Sequence, residues 1–203
     1  PQLRWSFSHI RQLMPTTQIS RGLGPVQWLP YALREDLGAV TFNVLGADTP
    51  LRWAQAFDAN YTDGLVVLHR GRIVEERYAV ALTAQGQHIA HSVGKSMVAT
   101  LGATLLHEGL LDETRRSDYY VPELSASGLG SATVRQVLDM TSCVHYAPAF
   151  ADPKTEPIDF VRAEGKFSRP ADYTGPNSIF ETLQAIVQRG PHGQAFDYQT
   201  VNT

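Results

Sequence analysis

Ser92 is followed three places later by Lys95. A serine hydroxyl is a poor nucleophile until a base removes its proton, and a lysine amine can be that base when burial and a positive helix end lower its pKa from about 10.4. Both conditions have a source in the surrounding stretch, His91 to Gly109, which reads as one helix. Val98, Leu101 and Leu105 recur at helical spacing, Met97 and Leu106 widen the stripe, and Gly109 supplies a left-handed stop. Residues three apart share a helix face, so Ser92 and Lys95 point the same way. The serine falls in the first turn, where backbone N–H groups are unsatisfied and the dipole is positive. That geometry suits acyl transfer.

The tetrapeptide alone carries little, because S-x-x-K arises by chance about once in a chain of this size. Context sharpens it. Only three lysines occur (Lys95, Lys154, Lys166), and the one placed after a serine opens the most hydrophobic helix. Gly94-Lys95-Ser96 also looks like the end of a phosphate-binding loop, but that loop needs a glycine where Ile89 stands. His107-Glu108 fails as a zinc-protease start because residue 111 is Leu. His88 and His91 lack a neighbouring carboxylate or thiol and read as ordinary polar contacts, so no metal and no cofactor are assigned.

The clearest element positioning this stretch is a hairpin. Gly64–His69 and Arg72–Tyr78 are two β-rich runs joined at Arg70-Gly71, and the nearly continuous apolar character of the first predicts a strand buried on both faces. Ahead of it, Trp5–Met14 is a short amphipathic stretch covering a larger body, Ala39–Leu45 is strand-like, and Thr49-Pro50 reads as the cap and first turn of a helix through Ala56. After it, Thr133 caps a helix over Val134–Met140, residues 145–177 carry five prolines and read as a surface excursion, and Ile179–Val187 is a final helix closed by Gly190-Pro191. No internal repeat is present.

At 203 residues with 43% hydrophobic content, the chain can bury a core. A net charge of -3 and 14 scattered arginines argue against nucleic acid, and no apolar run spans a membrane, so a small neutral organic substrate is the expected partner. The single cysteine, Cys143, rules out an internal disulfide and reads as a small buried residue, which fits a reducing, cytoplasmic setting. Pro1 is not a natural start, so processing or trimming at the front, including loss of an export signal, is left open. No feature specifies an oligomeric state.

Together these segments resemble the serine β-lactamase-like hydrolases, which include class C β-lactamases, D-alanyl peptidases, esterases and 6-aminohexanoate-dimer hydrolases. The resemblance runs through Thr62–Gly71 with Glu76-Arg77-Tyr78, His91–Ser96, Glu108–Asp112, Val121–Leu124, Thr133–Ser142, Gly190–Gly193 and Phe196–Thr203. Around Asp139-Met140-Thr141-Ser142 and in the last segment it is most similar to the 6-aminohexanoate-dimer hydrolase branch. The resemblance implies an α/β fold of α+β sandwich type: an antiparallel sheet flanked by helices, plus a mainly helical subdomain, within one catalytic domain over 1–203. Residues 1–108 would form the α/β part and 109–203 the helical and loop part.

It further implies Ser92 as the acylated nucleophile, Lys95 as its proton acceptor and Tyr198 as the group passing a proton to the leaving group. A phenol, with a reference pKa near 10, needs a neighbouring ammonium before its phenolate can act as a base. Tyr146 and Tyr173 are candidate substrate contacts. The activity implied is hydrolysis of a short linear amide or carboxylic ester, with β-lactamase or D-alanyl carboxypeptidase activity, or a non-catalytic acyl-trapping module, as alternatives.

Three departures bear on this. Tyr198-Gln199-Thr200 places a hydroxyl where β-lactamases carry an amide, which disfavours β-lactam turnover. Cys143 replaces the glycine usual after Thr-Ser. The chain stops at Thr203, whereas the family continues to inner strands bearing a third motif and one of two oxyanion N–H donors, the other being the amide of Ser92. Such a donor is worth about 10² to 10³ in rate. The expectation is a fragment of a longer enzyme, incomplete at the C-terminus and poorly active alone.

Overall fold

The structure, a computed structural model, describes residues 2–145 and 157–203. The chain forms two compact units, Pro1–Ile89 and Ala90–Thr203. Among the described residues no helix is long and apolar enough to cross a membrane.

The first unit is built on the expected hairpin. Strands β1 (Thr41–Asn43) and β2 (Pro50–Arg52) form one antiparallel pair, and β3 (Gly64–His69) with β4 (Arg72–Tyr78) forms the other. Arg70 and Gly71 both take positive φ, 51° and 74°, as a two-residue turn matched to strand twist requires. Val74 is bulged, since Val67 faces Glu75 while Leu68 faces Ile73. Residues 30–34 line the other edge of β4, where Ile73 N–H donates to Pro30 O at 2.9 Å and Arg34 N–H to Val74 O at 2.9 Å. This is why Ile73 and Val74 are buried while Val66 and Leu68 remain exposed. The expectation that β3 is buried on both faces is therefore corrected: among the described residues β4 is its only strand partner.

Pro50 also departs from its expected role. It opens β2 opposite Asn43, a first-strand position that tolerates the missing N–H, and the helix α1 starts later, at Trp53–Ala59. Its start is held by Gln55 Oε1, which accepts from Arg52 N–H at 3.2 Å. Near the front of the chain, Gln2–Ser8 and Ile10–Leu13 are short helices with no buried residue. The first is pinned by Arg4, whose Nε donates at 2.6 Å to the buried Asp63. His88 Nε2 lies 3.4 Å from the other oxygen of that carboxylate.

The second unit begins with a 3-10 turn, His91–Val93, feeding the helix α2 (Gly94–His107). Gly109, at φ 71°, ends it: Gly109 N–H reaches Leu106 O and Leu110 N–H reaches Leu105 O, the paired bonds of a Schellman stop. Its apolar stripe is not buried, however, with Met97 71% and Leu101 60% exposed. The core lies elsewhere, in Leu129, Val144, Phe160, Ile186 and Val201, with Leu183 packed against it. Phe160 sits on the helix Pro157–Ala163, so part of the proline-bearing excursion is core rather than solvated surface. Thr133 caps Val134–Leu138 through a reciprocal pair with Gln136, and Ser178 caps Ile179–Gln184, which ends three residues before the expected Val187.

Candidate active site

Ser92 lies in the 3-10 turn and Lys95 in the first turn of α2, so their separation is fixed by local backbone alone. Lys95 Nζ is 3.3 Å from Ser92 Oγ. The turn enters through His91, a non-glycine residue at φ 45°, a strained conformation that swings the chain into the helix immediately before the serine.

Tyr198 comes from more than a hundred positions further along and meets the same pair. Lys95 Nζ stands 5.3 Å from its ring centroid. Its phenol is held below the ordinary value, first by a hydrogen bond with Ser92, then by the Lys95 hydrogen bond and charge, with desolvation opposing. Ser92 and Tyr198 are exposed and Lys95 is half-buried, so the three face open solvent. Beside them is a cavity of about 200 Å³ lined by Lys95, Ser96, Val98, Leu138, Met140 and Asn202.

The segment Met140–His145 organises this corner. Met140 O accepts from Asp197 N–H at 2.9 Å, Thr141 O from Gly193 N–H at 2.8 Å, Cys143 O from Arg189 N–H at 3.0 Å, and His145 N–H donates to Val187 O at 2.7 Å. The Ser142 carbonyl accepts from the His192 ring, and the Ser142 hydroxyl donates to Asn202 Oδ1 at 2.5 Å. Met140 and Cys143 both take positive φ, 54° and 38°. Cys143 thus adopts the backbone that a glycine would adopt without strain, and it is only partly buried, which corrects the expectation of a buried residue.

Sequence reasoning brought out Ser92, Lys95 and Tyr198, which the structure brings together, but not Ser142 or Asn202. Neither carries a local signal, because the two meet across 60 positions of the chain. Tyr173 has its partners within 159–176: its hydroxyl donates to Pro176 O at 3.1 Å, and the Arg162 guanidinium lies 5.3 Å from its ring. Burial, and then the Asp159 carboxylate, push its phenol up. Tyr146 lies outside the described residues. Among the described residues no group of three or more His, Cys, Asp or Glu is placed to hold a metal ion.

The serine and lysine on one turn, followed by a tyrosine that meets them, sit in a chain whose residues 52–203 match the Beta-lactamase family model, and the chain belongs to that family. The fold is β-lactamase-like, and hydrolase is the activity class that the family and its named relatives support. A 6-aminohexanoate-dimer hydrolase of Paenarthrobacter ureafaciens is 29% identical over 204 residues, covering 100% of this chain and 49% of the relative. A solved structure from Bacillus anthracis, provisionally named as a 6-aminohexanoate-dimer hydrolase, superposes with a TM-score of 0.87 at 27% identity, covering 100% of this chain and 52% of that one. The chain therefore spans about half the length of the relatives it matches.

Proposed function

We propose that this chain carries the nucleophilic centre of a serine hydrolase that cleaves a short linear amide or carboxylic ester through an acyl-serine. The observation that carries this reading is the 3.3 Å approach of Lys95 Nζ to Ser92 Oγ. Tyr198 beside the same two groups supports it.

In this reading Lys95 and Tyr198 act as a pair holding one proton fewer than ammonium plus phenol. Ser92 Oγ attacks the substrate carbonyl, and its proton passes into that pair. Collapse of the tetrahedral intermediate breaks the bond to the leaving amine or alkoxide, which takes the proton from Tyr198. Water then attacks the acyl-serine by the same route, restoring Ser92 and the deprotonated pair. Linear substrates are favoured over β-lactams because Thr200 offers a hydroxyl and starts a 3-10 turn, while the nearby Asn202 side chain is buried with its amide oxygen accepting from Ser142.

The test is labelling with a fluorophosphonate followed by intact-protein mass spectrometry. One adduct mapping to Ser92, absent in Ser92→Ala, is expected. Turnover of a chromogenic short-chain ester should exceed that of a chromogenic cephalosporin. No adduct on folded protein, or an adduct that survives Ser92→Ala, would overturn the reading.

A further inference from the structure

Tyr198 is 54% exposed, so packing does little to fix its ring. What fixes it is the backbone on either side. Gln199 is extended, at φ -132° and ψ 133°, and in extended chain alternate side chains face opposite ways. Gln199 therefore turns inward, where it is buried, while Tyr198 turns outward. On the near side, Asp197 N–H donates to Met140 O at 2.9 Å. Gln199 Nε2 donates to Val144 O at 3.4 Å and to Asp197 Oδ2 at 2.6 Å. On the far side, the Thr200–Asn202 turn is closed down by the Ser142 hydroxyl on Asn202 Oδ1 at 2.5 Å. Ser142 is 1% and Asn202 8% exposed, so water does not compete for this bond.

We propose that the buried Ser142–Asn202 hydrogen bond is a positioning device that holds Tyr198 against Ser92 and Lys95. The inference rests on the reading of Tyr198 as a proton-transferring group. Ser142 is a positioning residue and takes no part in the chemistry. The bond joins the Met140–His145 segment to the turn that follows the tyrosine, alongside the Gln199–Val144 bond and the buried Val201, and it is the tie that sets the angle at which that turn leaves Tyr198. Loss of the bond lets the phenol drift from the serine, and a displacement of about 1 Å costs on the order of 10²-fold in rate.

A phenol that drifts also loses the hydrogen bonds that depress its pKa, so the two effects are linked. Among the described residues the charged group that acts on the phenol is Lys95, and the Asp197 carboxylate next along the chain accepts from Gln199 Nε2. Ester hydrolysis by the full chain should be followed against pH for Ser142→Ala, for Ser142→Thr, which keeps a hydroxyl, and for Tyr198→Phe. A double variant, Ser142→Ala with Asn202→Leu, removes both polar groups together and leaves no orphan partner, so it keeps the experiment informative if the single variant fails to fold.

The expected result is a fall in kcat of about 10- to 100-fold in Ser142→Ala and in the double variant. The acidic limb of the rate profile should move to higher pH, KM should change little, and Ser142→Thr should recover most of the rate. If Tyr198→Phe is inactive while the folded Ser142 variants keep the wild-type limb and rate, the positioning role is wrong. If Tyr198→Phe retains full activity, the reading of Tyr198 itself fails, and the inference with it.

Discussion

Lys95 stands one turn after Ser92 with its Nζ 3.3 Å from Ser92 Oγ, a relationship contained in one 3-10 turn and the start of one helix. Because only local backbone sets it, it depends little on distant packing. Lys95→Ala should leave the thermal transition nearly unchanged while lowering kcat/KM for a short-chain ester by about 10² to 10⁴, the usual worth of a positioned acid-base group. A parallel loss of thermal stability would show that the lysine is structural.

Activity should rise with pH through a limb set by Tyr198. Its folded pKa lies below the ordinary 10, so the phenolate fraction grows with pH through that lowered value. The linkage has the same sign. The unfolded chain holds the proton more tightly, so the contribution to stability is present above 10 and is lost as pH falls through the folded value. Lys95→Ala should shift the limb towards higher pH, and Tyr198→Phe should abolish it. A limb unchanged in Lys95→Ala would sever the link between the two residues.

In the first unit one carboxylate collects two phenols. Tyr31 donates to Glu76 Oε2 at 2.5 Å and Tyr78 to Oε1 at 2.6 Å, tying residues 30–34 to β4. Glu76 is lowered, first by the Tyr31 bond and then by that of Tyr78, and both phenols are raised by the same bonds. The Glu76 contribution is therefore present above the unfolded carboxylate value and lost as pH falls through the folded one. The phenol contributions are present below 10 and lost as pH rises through the raised values. Glu76→Gln should lower the melting temperature at pH 7, with the difference from wild type shrinking in acid. Equal differences at both pH values would show that the charge is irrelevant.

Cys143 holds φ 38° without being glycine. Left-handed backbone costs an L-residue about 1 to 2 kcal/mol, and glycine loses about 0.5 to 1 kcal/mol in chain entropy. Cys143→Gly should therefore raise the stability of the second unit by up to about 1.5 kcal/mol, read as an increase in denaturant midpoint. A clear decrease would mean that the thiol's packing against Gly190 outweighs the strain.

Strong local signals were legible in the chain. The Arg70-Gly71 turn, the Thr133 cap and the Gly109 stop all follow from nearest-neighbour chemistry, and each stands where its residues put it. Pro50 misled because one residue type suits both a helix start and a strand start, and only pairing with Asn43 decides between them. Phe160 misled because the prolines around it report local backbone, whereas its burial depends on Leu129, Val144 and Ile186 arriving from elsewhere. The same division runs through the site. Ser92 and Lys95 could be read from their spacing, but Tyr198 is one tyrosine among eight until a resemblance or a structure singles it out. The Ser142–Asn202 bond joins residues 60 apart and has no local signature.

That separation also sets an order in time. The Ser92–Lys95 turn needs only its own helix, which forms in about a microsecond once the residues are free to coil. Roughly 100 residues must still be made before Tyr198 exists, and at about 5 to 20 residues per second that takes on the order of 5 to 20 s. Through that interval the growing polypeptide carries the serine and lysine without the phenol. On the proposed mechanism it is chemically quiet towards acyl donors on the ribosome until the Thr200–Asn202 turn closes.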